Sequence, residues 1–281
     1  MDATTAAELY SGLTLPALPF LPTVLMLLVA LPLAAVLGFM TGAARRRTLD
    51  AGGESPEALV GETTLGAILA LLGLILAFTF ANALSVSQDR KAALNDEAAA
   101  LGTAFLRADY LPGPGRAELQ SALLDYARSR VVPEDGRLGT AEALRAFIGE
   151  SLRLQARLWP LTLEATADPV PPPIKSFAAG AVNDVLDAHL ARMQTLSAPV
   201  ANITQAMMLS IAVVALFLLG NRAGIAGRPL TWRTFVFAYS LFAVMVTITD
   251  IQRATEGFVR LNDSNLRATI FDMEQALAAR G

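Results

Sequence analysis

The side chains best placed to do chemistry lie in one apolar stretch of the sequence, residues 72–84. Four large apolar residues recur there at every fourth position: Leu72, Leu76, Phe80 and Leu84. On a helix this spacing predicts one shared face, and a ring of such side chains can gate a narrow pore by excluding water. Thr79 and Asn82 add a hydroxyl and an amide that can contact a partly dehydrated ion. The alternative is that these side chains face lipid or other helices.

The sequence has few other residues that could act in catalysis or bind a metal. The chain has no cysteine and one histidine, His189, which excludes thiolate catalysis and a cluster of histidine ligands within one chain. Asp187 lies two positions from His189, so on a helix the two point to different faces and cannot chelate one ion together. We expect His189 to be solvated or to face a partner. With no recognisable catalytic motif, the sequence predicts no enzyme, no cofactor and no metal site.

The composition predicts a membrane protein. Of 281 residues, 54% are apolar and 17% are charged, which exceeds what one soluble core needs. The apolar residues gather in four windows of spanning length, at about 19–42, 64–86, 203–219 and 232–251. Charged residues occur only at the ends of these windows, which argues against a pump or coupled transporter. A net charge of −3 gives no basic field to hold nucleic acid.

The second window ends without a helix-stop signal. Residues 76–91, LAFTFANALSVSQDRK, contain neither proline nor glycine, and beyond Val86 apolar residues recur at three- and four-residue steps. We therefore predict one helix from about Thr64 to Leu111, which leaves the bilayer near Val86 and continues into water. The prolines and glycines of LPGPG, residues 111–115, end it.

These elements predict an all-α fold: a four-span helical membrane protein with an extramembrane helical bundle inserted between spans 2 and 3. The predicted bundle has three more helices. The first carries the stripe Leu119, Leu123, Tyr126 and Arg130, the second runs toward Pro160, and the third begins near Phe177. The predicted domains are residues 1–86 (N-terminal tail and spans 1 and 2), 87–202 (bundle), 203–251 (spans 3 and 4) and 252–281 (a polar tail that can form one more amphipathic helix from about Asn265).

Arginines predict the orientation of the spans. The two short loops between spans carry six of them: Arg45, Arg46, Arg47, Arg222, Arg228 and Arg233. By the positive-inside rule these loops face the cytoplasm, which places the bundle on the periplasmic side. The first three arginines are also expected to end the first span and to open a polar loop that reaches Glu62.

Two pairs of small residues predict close helix packing. Gly38 and Gly42 lie at the end of the first span, and Ala77 and Ala81 lie in the second. In lipid such pairs let two helices approach closely. We expect both pairs to pack helices within one subunit rather than to specify an oligomer.

The order of these segments resembles the bestrophin-like domain proteins of bacteria and plants, integral membrane proteins mostly of uncharacterised function. The similarity rests on QDRKAALNDEAAALGTAFLRADYLP and LQSALLDYARSRVV after the second span, VNDVLDAHLARMQ before the third and DIQRATEGFVRLNDSNL after the fourth. Where that family's tail usually has a proline after the arginine, this chain has RATEG. The resemblance implies a location in the bacterial inner membrane.

True bestrophins are similar in plan, and this similarity implies further expectations. They are pentameric anion channels with four spans, a helical region between the second and third, and apolar rings along the second span that form a narrow neck. The resemblance thus implies a cytoplasmic bundle, whereas the arginines predict a periplasmic one, and both alternatives stay open.

Two functions fit the sequence. One is a bestrophin-like, homo-oligomeric, passive ion channel lined by the second span. The other is a non-conducting membrane sensor or scaffold whose bundle binds a ligand or a partner protein. The expected partners are membrane lipid, further copies of the chain and a small ion, and no nucleic acid.

Overall fold

The computed structural model describes residues 19–52, 62–133, 141–167, 169–197, 202–253, 258 and 262–280. In this part of the chain all regular structure is helical, which confirms the all-α class. Eight α-helices follow one another: α1 (Phe20–Gly52), α2 (Glu62–Arg107), α3 (Gly113–Ser129), α4 (Ala141–Ala165), α5 (Pro172–Ser197), α6 (Asn202–Ile225), α7 (Trp232–Gln252) and α8 (Ser264–Ala278). Most of the predicted N-terminal tail lies outside the described residues.

The chain forms two compact units. One comprises Pro16–Ser85 and Val200–Arg253 and is called here the membrane unit. The other comprises the described residues of Val86–Pro199 and Ala254–Gly281 and is called the bundle. The membrane unit holds α1, the first half of α2, α6 and α7, and the bundle holds the second half of α2 with α3, α4, α5 and α8.

Helices α1, α2, α6 and α7 are long and apolar enough to cross a membrane. At most 39% of the apolar window of any of them is buried within the chain. The remaining surface is hydrocarbon-like and extends along whole helices, which suits contact with lipid and not with water. The four-span prediction is therefore confirmed.

Helix α2 runs without a break for 46 residues, from Glu62 to Arg107, and a 3₁₀ turn at Ala108–Tyr110 extends it. At about 1.5 Å per residue, it is about twice as long as a bilayer core of roughly 30 Å is thick. The predicted continuous helix is confirmed. It ends where Leu111 adopts an extended backbone (φ −87°, ψ 146°) and Pro112 follows without an N–H donor.

The apolar residues that recur beyond Val86 form one side of the bundle core. They are all buried: Leu94, Ala98, Leu101, Phe105 and Ala108. Helix α8, expected from about Asn265, adds Leu266, Ile270 and Met273 to the same core. The C-terminal segment is thus part of the bundle.

Two helices continue past residues that were expected to stop them. Helix α1 runs through the three arginines to Gly52, so the loop predicted to open at Arg45 begins later. Charge ends a hydrocarbon segment but not a helix, because arginine, leucine and alanine are good helix formers, and Arg46 pairs with Asp50 one turn later at 3.5 Å.

Helix α4 similarly passes Pro160 and reaches Ala165. The proline ring lies on the exposed side of the helix, while Leu158, Thr162 and Ala165 hold the other side against the bundle. Their burial offsets a proline cost of about 3 kcal/mol.

Candidate functional site

In the membrane unit, α2 has a narrow buried stripe and a broad exposed face. The buried side chains follow one another at three-, four- and seven-residue steps: Leu65, Leu72, Leu76, Thr79 and Ala83. Leu72, Leu76 and Ala83 join a core with α1, α6 and α7. The rest of this half of α2 is half-buried or exposed in the single chain.

The four apolar residues predicted to share one face are divided between the buried stripe and the exposed face of α2. Leu72 and Leu76 are buried, whereas Phe80 and Leu84 are 38% and 39% exposed. The physical reason is helical pitch: each four-residue step overshoots a full turn by about 40°, so Leu72 and Leu84 lie about 120° apart around the axis.

The two polar side chains of this stretch, Thr79 and Asn82, also lie on different sides of α2. Thr79 is buried, and its hydroxyl donates to the carbonyl of Ile75 at 2.7 Å. Asn82 is exposed in the chain. The amide therefore remains on the surface, while the hydroxyl is bonded to its own helix.

The two pairs of small residues differ in the same way. A methyl group at Gly38 or Gly42 would overlap backbone carbonyls of α6, so these glycines allow α1 and α6 to pack backbone to backbone. Ala77 and Ala81 are exposed instead. The expectation that the alanines pack against another helix of the same subunit fails, because α2 turns its buried stripe, and not this face, toward α1, α6 and α7.

The six arginines lie at one end of the membrane unit. Three are in the last turns of α1, Arg222 is in the last turn of α6, and Arg228 and Arg233 lie in or just after the link from α6 to α7. Since α1 and α6 pack side by side in the same direction, their C-terminal ends come together. Arg46 lies over Gly227, whose φ of +66° and close contact with that guanidinium both favour glycine.

A further buried polar group lies where α7 ends. Arg253 donates through Nη2 to the hydroxyl of Thr23 on α1 at 3.0 Å, and its guanidinium lies 5.5 Å from the centre of the Phe20 ring. Gln205 on α6 donates to the side-chain oxygen of Gln252 at 3.0 Å. These contacts join α7 to α1 and α6 in the segment where the DIQR sequence occurs.

A second set of polar side chains is buried in the bundle, and we call it the charged cluster. It comprises Glu97 on α2, Tyr126 on α3, Arg130 at the C-terminal cap of α3, and His189 and Arg192 on α5. None of the five is more than 3% exposed. Buried charges are expensive unless paired, so their arrangement constrains the bundle strongly.

Glu97 is the centre of the charged cluster. Arg130 Nε donates to Glu97 Oε1 at 2.8 Å, the Tyr126 hydroxyl donates to the same oxygen at 3.0 Å, and Arg192 Nη1 donates to Oε2. The Tyr126 hydroxyl also lies 2.9 Å from His189 Nδ1. Because the hydroxyl gives its one proton to the carboxylate, His189 carries its own proton on Nδ1 and donates it to the hydroxyl.

The cluster has a defined charge state. Burial alone would raise the pKa of Glu97, but Arg130 and Arg192 outweigh it and lower the pKa, so the carboxylate is ionised. Burial, and then the charge of Arg130, lower the pKa of His189 to about 4. Burial and the charge of Glu97 raise the pKa of Tyr126. With both rings neutral, one carboxylate faces two guanidinium groups.

One comparison decides the fold. The crystal structure of a bacterial bestrophin homolog from Klebsiella pneumoniae, carrying a point mutation, superposes on this chain with a TM-score of 0.62. The match covers 90% of this chain and 99% of that one at 11% sequence identity. This chain has a bestrophin-like fold. No protein-family model and no curated protein matches the sequence.

The charged cluster was not predicted from the sequence. His189 was expected to be solvated or to face a partner, but it is 1% exposed. The signal was its place on a stripe, since Val182, Val185, His189 and Arg192 follow at three- and four-residue steps. Tyr126 had likewise appeared on an apolar stripe, and a polar residue on such a stripe indicates a buried polar network.

Proposed function

We propose that this bestrophin-like protein is a non-enzymatic, homo-oligomeric, passive ion channel, and that copies of α2 surround its pore. The observation that supports this proposal is the face of α2 that none of the other described helices covers. It is apolar, it extends over several turns, and it belongs to the second span of a bestrophin-like fold. The bestrophins that the sequence resembles use their second span to line the pore.

One strip of the exposed face suits contact between copies. Its residues have little or no side chain, lie within about 100° of one another around the helix, and are all exposed: Gly66, Ala70, Gly73, Ala77 and Ala81. Nothing lies within 4 Å of a methyl group added at Gly66 or Gly73. Small residues allow close approach of helices in lipid, so neighbouring copies of α2 can pack along this strip.

Phe80 and Leu84 border the same strip and are the proposed pore-lining residues. Both lie within about 40° of its nearest members, so packing along the strip brings them near the axis that the copies share. Leu72, Leu76 and Thr79, predicted with them, face the interior of their own subunit. Asn82 lies about 160° from Phe80 around the helix, and we do not assign it to the lining.

Recording from purified protein in planar bilayers tests the proposal. Phe80→Ala should raise the single-channel conductance, because it widens an apolar constriction. Phe78→Ala is the matched control: the same ring is removed from the same helix, but Phe78 is 69% exposed and lies about 160° from Phe80. Equal effects of the two substitutions would refute the pore-lining assignment.

Absence of current at verified protein density would refute conduction and favour the second candidate, a membrane sensor or scaffold. The unbroken helix α2 favours that candidate, since a continuous helix can transmit a change in the bundle to the membrane. In that case, ligand or partner binding to the bundle would be the activity to measure.

We also propose that the arginine end of the membrane unit faces the cytoplasm and that the bundle is periplasmic. Because the natural chain has no cysteine, single-cysteine variants can be labelled without background. In spheroplasts, an impermeant maleimide should label Ser176→Cys on α5 directly and Thr231→Cys before α7 only after lysis. The reverse pattern would establish the cytoplasmic bundle that true bestrophins imply.

A further inference from the structure

Arg130 has an incomplete set of hydrogen bonds although its side chain is fully buried. Its Nε donates to Glu97, but Nη1 and Nη2 have no hydrogen-bond partner among the described residues. Together these two nitrogens carry four N–H donors. Buried donors are almost always paired, so such an exception calls for a ligand, an ion or water.

The charge of the cluster distinguishes between these occupants. Glu97 supplies one negative charge against the two positive charges of Arg130 and Arg192. Tyr126, whose pKa is raised, and His189, whose pKa is lowered, are both neutral at pH 7. Among the described residues, Glu97 is the only acidic group that pairs with Arg130 or Arg192; Glu150 on α4 pairs with Arg153, and Glu274 on α8 pairs with Arg128, both at the surface. Water would satisfy the N–H donors but not the excess positive charge, whereas an anion satisfies both.

The surroundings of Arg130 select the size of the anion. Its guanidinium carbon lies 6.0 Å from the centre of the Phe147 ring, and the Arg130 side chain itself is fully buried. The surroundings are thus partly apolar and closed to solvent, which favours a compact monovalent ion, because a phosphate or an organic carboxylate would bring further oxygen atoms that need partners there. One N–H on each terminal nitrogen of the guanidinium can point toward a monatomic ion that lies between the two nitrogens.

We propose that the bundle binds one halide ion, chloride under physiological conditions, at the terminal nitrogens of Arg130. The ion neutralises the cluster and completes the hydrogen bonds of Arg130 between α3 and α4. Because the site is enclosed, exchange is slow and bound halide stabilises the bundle. The site does not depend on conduction, since a channel and a scaffold can both carry it.

Thermal unfolding of the full-length protein in detergent tests the site. We expect the Tm to rise and then saturate as sodium chloride replaces sodium gluconate at constant ionic strength. Arg130→Gln should abolish this rise, while Arg153→Gln, which removes an exposed arginine of α4, should retain it. No rise in the natural protein, or an equal rise in the Arg130→Gln variant, would overturn the proposal.

A second measurement remains decisive if Arg130→Gln does not fold. Crystals of the natural protein grown in sodium bromide should show an anomalous peak in contact with Arg130 Nη1 and Nη2. Density for water or for a side chain of the protein at that position, with no anomalous signal, would refute the halide site.

Discussion

A shift from pH 7 to pH 5 should destabilise the bundle through one residue, His189. Its pKa is lowered to about 4 in the folded protein from an ordinary value of 6.5, chiefly by burial. In the unfolded chain the imidazole takes up a proton as the pH falls below 6.5, whereas in the folded bundle it stays neutral until about pH 4. Stability is therefore highest above pH 6.5 and is lost as the pH falls toward 4.

The magnitude follows from that gap. One pH unit of difference is worth about 1.4 kcal/mol, so the folded protein should lose about 2 kcal/mol between pH 7 and pH 5. His189→Asn provides the control, because an amide can still donate to the Tyr126 hydroxyl but does not titrate. The loss measured by chemical unfolding in detergent should shrink by about that amount in the variant.

Nitrogen-15 NMR of protein labelled at histidine measures the protonation state of His189 directly. His189 is the only histidine of the chain, so one imidazole gives all the signals. They should report a neutral ring protonated at Nδ1 from pH 7 to pH 5. Protonation near pH 6.5, or an unchanged pH dependence in His189→Asn, would refute the buried, neutral assignment.

Three further substitutions test the packing by thermal or chemical unfolding in detergent. Glu97→Gln should cost about 3 to 5 kcal/mol, because it leaves two buried guanidinium groups without a charged partner. Asp96→Asn, at the exposed neighbouring position, should change stability by less than about 0.5 kcal/mol, and equal losses would contradict the role of Glu97. Gly220→Ala should cost at least about 1 to 3 kcal/mol, since the methyl group overlaps the backbone of α1, while Gly180→Ala on α5, where nothing lies within 4 Å of an added methyl group, should be nearly neutral. Leu266→Ala should cost about 2 to 5 kcal/mol and release α8 to limited proteolysis, and an unchanged digestion pattern would show that α8 is not anchored by this side chain.

Sequence alone predicted the long helix because two signals agreed along α2. The uninterrupted apolar segment predicted a membrane span. The apolar stripe that follows Val86 predicted a helix with one side buried in a core and the other side exposed to water. Helix ends were less predictable. Arg45 ends a membrane-spanning segment but not a helix, because arginine is a good helix former, whereas Pro160 has a local cost that tertiary contacts outweigh.

The buried sites were harder to predict, for different reasons in the two units. In the bundle, His189 was judged from its acidic neighbours in sequence, although its stripe with Val182 and Val185 is the better guide, because buried polar residues share the period of the core. In the membrane unit no such guide exists. Apolar residues face both lipid and neighbouring helices, so the spacing of Leu72 and Leu84 could not distinguish a buried position from an exposed one.

In a membrane helix, small residues distinguish positions of close helix packing better than large apolar residues do. Gly38 and Gly42 on α1 meet Gly220 and Gly224 on α6, so this close contact is satisfied within one chain. The GNRAG sequence on α6 has the same spacing and could have been recognised in advance. The strip of small residues on α2 has the same character but is exposed, and it meets none of the other described helices of its own chain. The channel proposal assigns this strip to contact between copies of the chain, and the lining side chains follow from that contact, so oligomerisation is the part of the proposal that should be tested first.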